Sequence, residues 1–216
     1  MRLQGGIFDM DGTLLDSMSV WKSQGSGLLR RRGIEPEPGL DGKLRPLSLL
    51  DAVGYCREHY GLPETPEELA AEVNAQVDSF YRSEVRAKPG AEKFLSILKM
   101  EGVEMYIATA TDRDQVEAAL RHTDLLRYFQ GILTCTEMGC GKESPRIFEK
   151  ALTRLRCRKQ DAVVFEDALH AVRTAKEAGF RVAAVYEPMF EADQPELRRL
   201  ADYYIRSFEE FVQTEG

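Results

Sequence analysis

The chain has 216 residues, a formal net charge of −7, and an ordinary balance of 43% hydrophobic and 30% charged residues. That length buries one good core with room for a smaller second unit. The acidic balance gives no electrostatic ground for nucleic acid or an anionic membrane as partner, and no apolar run reaches the ~20 residues that span a bilayer.

The first element is a short strand, Ile7-Phe8, that ends abruptly in Asp9-Met10-Asp11-Gly12-Thr13. The stretch ahead of it, Met1 to Gly6, has no apolar h-region, so a cytoplasmic protein is expected. From residue 16 to 86 the patterns are all helical. Trp21, Gly25, Leu28 and Leu29 share one face, and Arg30-Arg31-Arg32 closes that pattern before Gly33 as a solvated helix end. Leu49, Val53, Cys56 and Tyr60 share a second face, ahead of Gly61. Thr65-Pro66-Glu67-Glu68 is a capping box with proline in the first turn, and it opens a helix carrying Leu69, Val73, Val77 and Phe80 on one side. Lys88-Pro89-Gly90 marks the return to a second pattern.

Strands are expected at 103–109, 131–135, 161–165 and 182–186, with amphipathic helices between them. Ala91, Leu95 and Leu98 mark one helix, Val116, Ala119 and Leu120 the next, and Ile147, Ala151 and Leu155 a third. Ala168, Ala171, Val172, Ala175 and Ala178 run to Gly179. Alternating strands and helices predict an α/β fold, a Rossmann-like three-layer α/β/α core on a parallel sheet. The helical stretch reads as an insertion, giving a core of residues 1–15 and 87–216 and an all-helical cap of 16–86.

Asp9 and Asp11, two apart, leave the strand on the same side, at the end where open α/β sheets bind ligands. Paired carboxylates repel unless a cation or a shared proton relieves them. They are candidates for a metal site or for a nucleophile beside an acid/base, and a bare Asp-x-Asp serves equally as an acidic turn before a helix. Three further residue sets fall at strand ends or helix starts: Thr109, Lys142 ahead of a helix, and Glu166-Asp167 after Val163-Val164-Phe165. Each alone has an ordinary use as a cap or solvated charge. The four cysteines and three histidines show no Cys-x-x-Cys spacing and no zinc-type clustering, so reduced thiols are expected.

Asp9-x-Asp11-Gly12-Thr13, Thr109, Lys142 and Glu166-Asp167 resemble, in order, the four motifs of the haloacid dehalogenase superfamily of phosphohydrolases. The resemblance covers nearly the whole chain, including a helical cap after the first motif. It implies magnesium-dependent phosphoryl transfer, with the ion held by Asp9, the Asp11 carbonyl and Asp167, and Glu166 beside them. It implies Asp9 as nucleophile, Asp11 as general acid and base, and Thr109 and Lys142 as holders of the phosphoryl group. Gly12, Thr13, Ala110, Trp21 and Arg45 are assigned to substrate binding. Asp11 argues for an oxygen leaving group, because halide needs no proton.

Thr109-Ala110-Thr111 also resembles the β-phosphoglucomutases, but Trp21, Leu49 and Asp112 stand where those enzymes carry His, Arg and Lys. Lys43, Arg45 and Arg113 are the cations that would replace the lost charge. A non-catalytic binding or regulatory module on the same fold is the remaining alternative. In motif four, Ala168 stands where relatives often have Ser or Thr, and His170 reads as a helix-surface group or one behind the metal ligands. The expected partner is a small phosphorylated metabolite bound by a monomer, with neither nucleic acid nor membrane.

Overall fold

In the computed structural model of the chain, Gly5–Phe8 forms a central strand, β1, with all four residues buried. The structure describes residues 3–22, 24–44, 47 and 49–213. Contacts divide it into two compact units, Met1–Asp16 with Val85–Gly216, and Ser17–Glu84.

In the first unit β1 is followed by β2 (Glu104–Thr109), β3 (Gly131–Thr134), β4 (Ala162–Glu166), β5 (Arg181–Val185) and β6 (Tyr203–Ile205). They form a six-stranded parallel sheet in the order β3-β2-β1-β4-β5-β6. The chain winds outward from β1 on one side and restarts at β4 on the other. The carboxyl ends of β2, β1 and β4 therefore meet at the switch point where such sheets bind ligands.

Side-chain alternation explains why β1 and β4 pair so closely. Phe8 lies opposite Phe165 in the register, and the two rings stack at 4.1 Å with an interplanar angle of 3°. Phe94 and Phe129 pack edge-on against Phe8. On the other face Ile7 and Val164 join Ile147, Phe148, Ala151 and Val172 in a separate apolar cluster. Truncating a ring such as Phe8 to alanine would cost about 3–5 kcal/mol. The sheet edge that carries the polar residues is thus anchored from both faces.

The helices of the second unit are α1 (Met18–Lys22), α2 (Gln24–Arg30), α3 (Leu40–Leu44), α4 (Leu49–Tyr60) and α5 (Pro66–Ser83). Those of the first unit are α6 (Ala91–Met100), α7 (Arg113–His122), α8 (Cys135–Met138), α9 (Arg146–Leu155), α10 (Leu169–Glu177), α11 (Gln194–Leu200) and α12 (Phe208–Gln213). The Thr65 capping box forms as its sequence dictates: the hydroxyl accepts from Glu68 N, and the Glu68 carboxylate accepts from Thr65 N at 2.8 Å. A Cβ at Gly25 would come 2.2 Å from Leu44 Cδ1, so glycine lets α2 approach α3.

Local differences from the expected pattern have local causes. Cys135 starts α8 rather than ending β3, because Thr134 and Glu137 form a second capping box there. Arg31 and Arg32 are not a solvated helix end. Arg31 Nε is 3.1 Å from Glu72, and Arg32, with only 19% of its side chain exposed, bonds Glu64 at 2.7 Å and Glu72 at 2.6 Å. The arginine run therefore ties the end of α2 to the start of α5. β6 carries no apolar run; only Ile205 of its three residues is buried, as befits a short edge strand.

Candidate active site

The loop leaving β1 is wound tightly against its neighbours. Asp9 N donates to Phe165 O at 3.0 Å, and both Leu14 N and Leu15 N donate to Met10 O. Gly12 has φ +72°, a backbone region that disfavours side chains, and its N–H donates to Leu15 O. The turn therefore needs glycine at this position to return the chain and leave Asp9 and Asp11 at the sheet edge.

Asp9, Glu166 and Asp167 each bring a carboxylate oxygen within 4.8 Å of the others. Lys142, in the loop before α9, reaches into this cluster. Its Nζ lies 2.7 Å from Asp9 Oδ1 and 2.7 Å from Glu166 Oε1, and all four side chains are nearly buried. The approach to Asp9 is a charge contact without hydrogen-bond alignment, whereas that to Glu166 is aligned. Glu166 is spoken for on both oxygens, since Oε2 accepts from Asp167 N at 2.6 Å and Ala168 N at 2.8 Å. It holds Lys142, while Asp9 and Asp167 keep carboxylate capacity to spare.

Burial, with neighbouring charge, explains the titration of the cluster. Burial, joined by Glu166 and Asp11 and opposed by Lys142, pushes the Asp9 carboxyl up to about 7. Burial, then Glu166 and Asp9, also pushes Asp167 well above the usual carboxylate range, against Thr13 and Lys88. Burial opposes the charge on Lys142, but Asp9 and Glu166 outweigh it and hold its ammonium above the ordinary lysine range. Three carboxylates against one ammonium leave an excess of negative charge. An all-oxygen set of this kind fits a hard divalent cation such as magnesium.

Thr109 closes β2 and is buried; its Oγ1 accepts from Thr111 N at 3.2 Å, which leaves its own O–H as a donor. Thr111 Oγ1 donates to Asp11 Oδ2 at 2.7 Å. Ala110, between them, is exposed. Thr13, expected to bind substrate, is fully buried, and its hydroxyl donates to Asp167 Oδ1 at 2.6 Å. Sequence spacing carries no signal of the Thr111–Asp11 and Thr13–Asp167 bonds, which join residues 100 and 154 positions apart.

In the helical unit Trp21 is 39% exposed, and its indole N–H donates to Tyr81 OH at 3.1 Å. Arg45, also expected to bind substrate, lies outside the described residues. Of the other cations considered for a distal phosphate, Lys43 pairs with Glu37 at 2.7 Å. Arg113 pairs with Glu137 and donates to Ile132 O at 2.9 Å. His170 is exposed on α10.

The sequence model of the haloacid dehalogenase-like hydrolases matches residues 6–185. Hexitol phosphatase A of Escherichia coli is 29% identical over 99% of this chain and 95% of its own. Phosphoglycolate phosphatase of Rhodobacter capsulatus is 30% identical over 69% of this chain and 70% of its own. Among solved structures, a Thermotoga maritima protein provisionally described as a beta-phosphoglucomutase shares the fold with a TM-score of 0.86, at 22% identity and 98% coverage of both chains. The chain belongs to the haloacid dehalogenase-like hydrolase family. It is an enzyme of that family's phosphatase branch.

Proposed function

We propose that the protein hydrolyses a small organic phosphomonoester, using magnesium and a covalent phosphoryl group on Asp9. The observation that carries this reading is Lys142 Nζ at 2.7 Å from Asp9 Oδ1, inside a cluster that still holds an excess of carboxylates. A nucleophilic anion attacks an anionic phosphoryl group only where fixed positive charge offsets the repulsion.

The Asp9 and Asp167 carboxylates, with the Asp11 carbonyl, would hold the magnesium ion. When bound, the ion supplies positive charge at the phosphoryl oxygens and draws Asp9 into its ionised form. Asp9 then attacks phosphorus, and the substrate alkoxide leaves. Asp11 gives that alkoxide its proton and takes one back from the water that hydrolyses the aspartyl-phosphate. The Thr109 hydroxyl and the backbone N–H groups around Gly12 and Ala110 orient the phosphoryl oxygens. Lys142 neutralises charge on Asp9 and the transferring group. Glu166, bonded on both oxygens, keeps Lys142 aimed at Asp9.

The helical unit at 17–84 is proposed as the cap that selects the leaving group, with Trp21 as an aromatic contact. Hydrolysis is favoured over a mutase reaction by the state of the reserve cations. Lys43 and Arg113 are already paired to Glu37 and Glu137. The two relatives named above are a hexitol phosphatase and a phosphoglycolate phosphatase, which supports a small polar metabolite as the leaving group. A screen of such phosphomonoesters with magnesium, reading inorganic phosphate, tests the proposal. Release that stops on chelation is the expected result. Release that survives exhaustive chelation, or isomer exchange without release, contradicts it.

A further inference from the structure

Lys88 lies where the chain re-enters the sheet unit, and its surroundings go beyond a linker's needs. Its backbone N–H donates to Leu14 O at 2.8 Å, in the loop leaving β1, and Leu15 and Ala87 form an isolated antiparallel bridge beside it. Its ammonium reaches the other way. Lys88 Nζ donates to Tyr186 O at 2.7 Å and lies 2.9 Å from Glu187 Oε2, both in the segment leaving β5. Only 13% of the Lys88 side chain and 6% of that of Glu187 are exposed. Glu187 Oε1 is fixed in turn by Met189 N at 3.0 Å.

In the sheet β4 lies between β1 and β5, and Glu166 of β4 pairs with Ala184 of β5. A residue bonded to the exit of β1 at its backbone and to the exit of β5 at its head straddles the end of β4. That end is where Asp167 stands, bonded to Thr13, the neighbour of Leu14. Adjacent strands are about 4.8 Å apart, so the exits of β1 and β5 lie roughly 10 Å apart across β4, a gap that an extended lysine closes with a hydrogen bond at either end. Burying an ion pair costs desolvation that its mutual attraction offsets only in part. A buried Lys–Glu pair at the edge of an acidic centre therefore points to use of its charge.

We infer that Lys88 is a positioning residue of the acidic centre: held by Glu187 and straddling β4, it sets how tightly the Asp9–Asp167 pair binds a divalent cation. The inference rests on the cation reading of that cluster given under Proposed function. Lys88 opposes a cation, and Glu187 partly cancels Lys88. The two members of the pair therefore act in opposite directions on the site, although they act in the same direction on folding.

Calorimetric titration of magnesium into the purified full chain separates these roles. At an alkaline pH that keeps the carboxylates ionised, Lys88→Met removes the opposing charge, so magnesium Kd should fall about tenfold, as expected of one charge several ångströms away at an intermediate dielectric. Glu187→Gln leaves Lys88 uncompensated, so Kd should rise by a similar factor. Lys88→Arg should stay near wild type. The double variant Lys88→Met/Glu187→Gln, neutral again, should also stay near wild type. Should Lys88→Met lose its fold by circular dichroism, the rise in Glu187→Gln and its reversal in the double variant carry the test. Variants that lower Tm but leave Kd unchanged, or shift it in the same direction, overturn the role of Lys88. Wild-type protein with no saturable magnesium binding overturns the cation reading beneath it.

Discussion

Thr111 Oγ1 donates to Asp11 Oδ2 across 2.7 Å, linking the loop after β2 to the loop after β1. Through it, the proposed acid/base is held by the segment that also carries Thr109. Hydrogen bonds to charged groups contribute about 1.5–3 kcal/mol. Thr111→Val should therefore lower kcat roughly ten- to a hundredfold, and Thr111→Ser should recover most of the loss. Steady-state kinetics on the best substrate of a screen would check this. A Thr111→Val enzyme with wild-type kcat would show that Asp11 needs no such support.

Thr13 is the matching partner on the other carboxylate, donating to Asp167 Oδ1 at 2.6 Å from a fully buried position. With Asp167 as a proposed cation ligand, removing the group that orients it should cost about 10–100-fold in metal affinity or activity, as is typical of such partners. Thr13→Val should raise the magnesium concentration needed for half-maximal activity by about that factor. Unchanged magnesium dependence would mean that Asp167 is oriented by its own backbone alone.

The raised Asp9 carboxyl gives a pH signature. An unfolded aspartate titrates near 3.8, and Asp9 in the folded protein near 7. Between those values the native state binds more protons than the unfolded one, so the contribution of Asp9 to stability falls as pH rises through that window. Asp167, raised by burial, Glu166 and Asp9, acts in the same sense. A cation competes with these protons, so magnesium should raise Tm more at pH 8 than at pH 5.5. Scanning calorimetry of wild type and Asp9→Asn would test this, with the variant losing most of the difference. Equal magnesium-induced shifts at both pH values in the wild type would argue that the cluster is already ionised without a cation.

What the sequence makes legible follows from the range of the interactions involved. Short apolar runs ending in polar residues mark β1, β2 and β4, because a buried parallel strand must be apolar throughout and its exit must turn. The two apolar faces of the sheet follow from alternation, as Phe8 beside Ile7 and Phe165 beside Val164 show. β6 was not legible, since Tyr203 and Tyr204 are at most half-buried and three residues give no period. The duties of Glu166, Thr13 and Lys88 were also hidden. Each depends on partners 24 to 154 positions distant, whose proximity arises only once the strands are ordered.

The most direct measurement is phosphate release by purified Asp9→Asn with magnesium and the best phosphomonoester of the screen. Asparagine keeps the size of the side chain and removes charge from a crowded acidic pocket, so the fold should persist with an unchanged circular dichroism spectrum. As the proposed attacking atom is lost, turnover should fall below a few per cent of wild type. A folded Asp9→Asn protein that retains more than this would contradict covalent catalysis at Asp9.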